Sequence, residues 1–218
     1  MTLSLLAAGP AIATFEGSIS DELTKAWSVS LLWAQAVASR SAPQATPAWF
    51  TALSAEMGRI AWIATDADTV GYTLSGGAIN TAAAASSLAC TYLPPDQSGS
   101  VKTFFQAIQT GNSGDGLNSF LTTVWSSLAS DGSGTAFAVS PLTISPDGQL
   151  TTTLSLLSFA AQSDEWQTFF VSRVTKATDL QSHHIRLTLN AQLWSDLVGP
   201  ITNKLGQAAI ASVLSLQI

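Results

Sequence analysis

The chain has 218 residues, 46% of them hydrophobic and only 10% charged, where an ordinary soluble domain carries about 25% charge. That apolar share can offset chain entropy and disfavours a disordered chain, and a single cysteine cannot build an internal disulfide framework. The formal charge is −6, the isoelectric point is near 4.6, and eight basic residues make a poor footprint for nucleic acid.

In place of charge stand 29 Ser, 24 Thr and 33 Ala. Residues 1–134 hold four basic and nine acidic side chains, and residues 135–218 hold four and five. Neither part has a run of like charge, so no acidic tail or polybasic membrane patch is expected. The opening stretch Leu3 to Ala13 is apolar but has no basic flank, so a cleaved leader is not expected. No apolar run reaches the roughly 18 residues of a membrane-spanning helix. The chain is read as cytoplasmic or as exported by a non-classical route.

Helical spacing dominates the first 130 residues. Ser20 precedes Asp21 and Glu22, a cap followed by acids where a helix dipole favours them. Leu23, Trp27, Leu31, Ala34 and Ala38 then recur on one face as far as Arg40. Pro47 opens a second helix with Phe50, Leu53, Met57, Ile60, Ala61 and Ala64 on its apolar side, ended by Asp66-Ala67-Asp68. Gly71 to Gly77 reads as a turn or short strand pair, and Ala78 to Thr91 as an Ala-rich helix stopped by Pro94-Pro95. A short helix over Ser100 to Gln109 ends at Gly111. After the loop 112–116 comes a helix with Phe120, Val124, Trp125 and Leu128 inside.

The period changes to two after Asp131-Gly132-Ser133-Gly134. Ser145 to Gln149 is a hairpin turn between strands expected at about 136–144 and 149–160. Trp166 to Lys176 reads as a third strand. Ile185, Leu187, Leu189, Ala191 and Leu193 alternate with polar neighbours as a fourth. A helix from Pro200 to Leu214 closes the sequence. The class is α+β in one domain over residues 1–218: a helical part (about 20–130), an antiparallel meander (about 135–194) and a C-terminal helix.

Few residues carry chemistry. The chain has no Gly-x-Ser-x-Gly elbow, and Asp131-Gly132-Ser133-Gly134-Thr135 places its glycines too close to the serine. His183 and His184 are the only histidines, and adjacent strand residues face opposite ways, so they do not share one metal ion. Either could act as a base or bind a metal with Asp179; the plainer account is one packed or hydrogen-bonded imidazole and one exposed. Asp66 and Asp68 could hold a divalent ion but suit a solvated helix end, and Asp164-Glu165 suits a polar loop. The glycine loop at 111–116 lacks the Lys of a phosphate-binding loop. Cys90 reads as a small buried hydrophobe. Of seven tryptophans most should be core, and Trp33, Trp166 and Trp194 are the candidates for an exposed binding surface.

No cofactor and no metal are expected. A surface this poor in charge loses little on desolvation, so the leading expectation is a non-enzymatic, self-assembling or partner-binding subunit, with a homo-oligomer or another protein as partner. A membrane-active or secreted toxin-like protein is the alternative, because 150–159 and 185–194 have the length of membrane β-strands, and peripheral membrane contact stays open. A hydrolase-type enzyme using His183 or His184 is the third reading.

Overall fold

The computed structural model describes residues 3–44, 46–74, 80–111, 114–129, 135–159, 166–170 and 178–218. The fold is α+β, a mixed seven-stranded sheet between two helical layers.

The chain opens with a β-hairpin, β1 (Leu3–Ala8) and β2 (Ala11–Glu16), where an apolar stretch with no assigned structure was expected. Both faces of β1 and β2 are buried, so their sequence shows no alternation. Gly9 turns the hairpin at φ +58°. Helix α1 (Asp21–Ala38) starts at Ser20, whose hydroxyl accepts from the Leu23 amide, and α2 (Pro47–Arg59) at Thr46, which accepts from Trp49.

The second helix ends earlier than its periodicity suggested. Ile60 caps it, Ala61 takes φ +88°, and the chain leaves as strand β3 (Trp62–Leu74). This corrects the reading of Ala64 as helical and of Asp66-Ala67-Asp68 as a helix terminus. Residues 71–74 lie in β3, and the rest of the expected Gly71–Gly77 turn lies outside the described residues.

Three helices follow, α3 (Thr81–Ala89), α4 (Pro95–Thr110) and α5 (Gly114–Ala129). Strands β4 (Thr135–Ile144) and β5 (Leu150–Phe159) form the expected hairpin, turned by Gly148 at φ +81°. Trp166–Phe170 is a short helix, α6, not a strand; apolar residues on every side fit either form. Residues 171–176 of that expected strand lie outside the described residues. Strand β6 (Thr178–Leu189) ends sooner than the alternation through Leu193 implied, because the Asn190 side chain accepts from the Leu193 amide and starts α7 (Ala191–Leu205). The closing helix therefore begins nine residues before Pro200, which lies inside it. It is followed by α8 (Gln207–Ala211) and β7 (Leu214–Gln217).

The sheet order is β3-β6-β5-β4-β2-β1-β7. The pair β2–β4 is parallel and the other pairs are antiparallel. One face packs Leu6, Ala138, Leu154, Leu156 and Leu187 against Trp27, Leu31, Trp49, Leu53 and Trp194 of α1, α2 and α7. The other packs Leu5, Ile12, Phe137, Val139 and Leu157 against α3 to α6, around a cluster of Phe104, Phe105, Phe137, Phe159 and Phe170 with ring centroids 5.1–6.4 Å apart.

Candidate functional site

Where β3 meets β6, two residues of one strand oppose one of the other. Ala64 pairs with Leu187 and Ala67 with Ile185, so Thr65 and Asp66 together oppose Arg186. This β-bulge bends the outer strand and turns two carboxylates toward the α3/α4 side. Asp66 Oδ2 lies 3.4 Å from Arg186 Nη1, and Arg186 Nη2 donates to the Tyr92 carbonyl at 3.3 Å. The Tyr92 hydroxyl donates to Asp68, which also accepts from the Thr69 amide at 2.7 Å. Those two hydrogen bonds, then the nearby His184, hold the Asp68 carboxyl below the usual carboxylate range.

His183 and His184 follow on β6 and face opposite layers, as their adjacency in a strand requires. His183 Nδ1 is 2.9 Å from Thr69 Oγ1, and its ring lies 5.9 Å from that of Phe50 on α2. His184 Nδ1 is 2.8 Å from Ser155 Oγ on β5, and Tyr92 meets its ring edge-on at 5.2 Å. Burial lowers the His183 pKa and pushes that of His184 down to about 4 against the opposing pull of Asp68. Both rings are therefore neutral at pH 7. Neither Nε2 has a hydrogen-bond partner, and both atoms are buried.

Two concavities flank the pair. One of about 260 Å³ is lined by Asp66, Ala67, Asp68, Tyr92, Thr153, His184 and Arg186. The other, of about 380 Å³, lies on the α2 side among Phe50, Thr51, Ser54, Asp68, Thr69 and His183, and reaches His184.

The sequence candidates are thus only partly gathered. Asp179 sits farther along β6, bonded to Thr73 Oγ1 at 2.6 Å, and does not join the histidines. The Ser155–His184 pair has the atoms of a nucleophile and base, but Ser155 is 1% exposed and no carboxylate is bonded to His184 Nε2. Asp66 and Asp68 are engaged by different partners, and among the described residues no group of three His, Cys, Asp or Glu is placed to hold a metal ion. Cys90 is half-buried, with its thiol pKa raised chiefly by burial.

The tryptophans are not gathered either. Trp33 is half-buried, donates to Glu56 Oε1 at 2.9 Å and lies under Lys204 Nζ at 5.7 Å. Trp166 and Trp194 stand at helix starts in opposite core layers, not at strand ends, and are 4% and 5% exposed. Tyr92, Ser155, Thr69 and Arg186 escaped sequence reasoning; the one usable signal was Arg186, a lone charge in an otherwise uncharged alternation.

No protein-family model matches the chain, and no curated protein matches it in sequence. Among solved structures it is similar to a delta-endotoxin, with TM-score 0.45, 7% identity and 84% of each chain covered. It is also similar to the Evf virulence factor, with TM-score 0.42, 10% identity, and 88% of this chain and 77% of that one covered. At these scores neither likeness assigns a role to any residue.

Proposed function

We propose that the protein works by association with a second copy of itself, through strand pairing along the outer edge of β3. One observation carries this reading: β3 is 13 residues long, is the last strand of the sheet, and has no partner on its outer side among the described residues. Such an edge presents a row of free amides and carbonyls. Residues 63–69 are exposed, Ile63 by 54%. The charges along the edge are Asp66 and Asp68, both exposed and both paired within the chain, to Arg186 and Tyr92. The opposite edge, β7, has only four residues. Pairing of β3 with its own copy about a two-fold axis closes as a dimer, whereas β3 on β7 would propagate.

The test is solution mass by light scattering over a wide dilution series. The expected result is twice the 22.6 kDa of the chain. The Thr69 amide bonds to Asp68 and so points away from β6; alternation gives the Gly71 amide the same outward direction. Gly71→Pro therefore removes an edge donor without breaking the β6 ladder and should weaken the dimer about tenfold or more. A monomer at every concentration would overturn the proposal.

A second reading, membrane activity, has its own support. Strands β3, β6, β5 and β4 are sheet neighbours, all antiparallel and 10–13 residues long, where a tilted membrane strand needs about 9–11. Their buried faces carry Ser140, Thr152, Thr153, Ser155 and Ser182. Among the described residues no helix is long and apolar enough to cross a membrane. Dye release from phosphatidylcholine vesicles, with and without anionic lipid, tests it; no release from pH 4 to 9 removes it.

A further inference from the structure

We propose that His183 and His184 form an acid-operated latch, holding α2 on one face of the sheet and the Tyr92 segment on the other at neutral pH and releasing both in acid. The inference starts from placement. Two adjacent residues of one strand reach into two different layers, so a single dipeptide touches the packing on both sides of the sheet. Phe50 of α2 covers His183, and Tyr92, between α3 and α4, covers His184.

Each ring is fixed through one nitrogen only. Nδ1 of His183 is bonded to the Thr69 hydroxyl from β3, and Nδ1 of His184 to the Ser155 hydroxyl from β5. In the Nδ1–H tautomer the hydroxyl accepts from the ring whether it is neutral or charged, so these contacts survive either state. The Nε2 atoms are different. Both are buried without a partner, and an imidazolium would carry an N–H there with nothing to receive it.

In the closed state no acceptor is bonded to either Nε2. On the His183 side, α2 presents the uncharged Phe50, Thr51 and Ser54, and β3 presents Ala67, Thr69 and one charged group, the Asp68 carboxylate, which is bonded to Tyr92 and to the Thr69 amide. On the His184 side the nearest carboxylate, Asp68, already accepts from Tyr92 and Thr69. Asp66 is engaged by Arg186, and Arg186 adds a positive charge to the same wall. Charge on either ring opposes charge on its neighbour. In the closed state protonation is disfavoured on both faces, and opening either cover gives the imidazole to water. By linkage the open form gains about tenfold per pH unit for each histidine that charges only when uncovered.

The experiment follows the two imidazole resonances of the full chain by NMR from pH 7.5 to 3.5, alongside hydrogen exchange of residues 47–59 and 91–94. The expected result is that both rings stay neutral well below pH 6.5. They then titrate together with faster exchange in those two segments, while residues 104–108 remain protected. His183→Gln and His184→Gln keep a hydrogen-bonding side chain that cannot be charged. Each should remove about one proton from the pH dependence of opening, and the double variant nearly all of it. Titration of both rings near pH 6.5 with no change in exchange overturns the latch, as does unchanged acid opening in the double variant. If the double variant does not fold, the wild-type titration and exchange decide.

Discussion

The indole N–H of Trp27 donates to Ser140 Oγ at 2.9 Å, joining α1 to the middle of β4 across 113 residues of sequence. Ser140 also shares a 2.7 Å hydrogen bond with Thr152 of the next strand. All three residues are buried. Ser140→Ala should cost about 2–4 kcal/mol, since it strands both an indole N–H and a hydroxyl. Trp27→Phe removes one of those orphans, so the double variant should lose less than the sum of the singles. Urea unfolding of the four proteins checks this, and strict additivity would count against it.

Gln97 straps α4 to two strands. Its Nε2 donates to Thr143 Oγ1 at 3.0 Å, and its Oε1 accepts from Thr153 Oγ1 at 2.9 Å. Thr143 keeps a second partner in Thr151, but Thr153 is 1% exposed and has no other hydrogen bond in this network. Gln97→Met, similar in volume, should cost about 1–3 kcal/mol by leaving that hydroxyl unpaired. Ser98→Ala, one residue on, should stay within about 0.5 kcal/mol. Equal midpoints in chemical denaturation would refute the difference.

At the first hairpin turn, a Cβ on Gly9 would run into the amide of Gln35, which donates from Nε2 to the Ala8 carbonyl at 3.1 Å. The backbone there is left-handed as well. Gly9→Ala should cost about 2–4 kcal/mol, and about 1 kcal/mol in a Gln35→Ala background, where only the backbone penalty is left. Thermal melts of the four proteins measure both.

Acid should lower stability through His184. Its folded pKa, near 4, lies below the ordinary 6.5, so the unfolded chain binds the proton more tightly. The stability tied to the neutral ring is complete above pH 6.5 and is lost as pH falls toward 4, by about 3 kcal/mol in all. His183, shifted in the same direction, adds to the loss. Asp68, held below its ordinary value, acts only at lower pH. Denaturation midpoints at pH 7 and pH 4 should differ in the wild type and differ by less in His184→Gln, where only the His183 contribution is left.

The amphipathic and hairpin signals carried the sequence reading a long way. The cap at Ser20, the helix start at Pro47, the stop at Gly111 and the turn at 145–149 all stand where spacing placed them. The failures have physical causes. Strands β1 and β2 are buried on both faces, so no period of two survives. Strand β3 is an edge with a bulge, and its residues 63–69 are all exposed, so that stretch has no buried face to give one. Ala64 and Ala61 fell on the helical stripe by chance, and only the left-handed backbone of Ala61 ends it. Asn190 caps α7, and the alternation ran straight past it. The site was half legible: the histidine pair and the two aspartates stood out, but Tyr92 and Ser155 reach them from elements more than 20 residues away.

The pairing of β7 with β1 sets an order of events during synthesis. Leu3 and Ile218 exchange backbone hydrogen bonds at 3.1 Å, and Leu214–Gln217 lies along Ala7–Ser4. Strand β1 can form its hairpin with β2 as soon as both leave the ribosome, but its outer side stays open until some 200 further residues have followed. A ribosome stalled before residue 214 would hold a nascent sheet with β1 uncovered, a surface for chaperones or for neighbouring nascent chains. Strand β7, the shortest of the seven, would then act as the closing stitch of the fold.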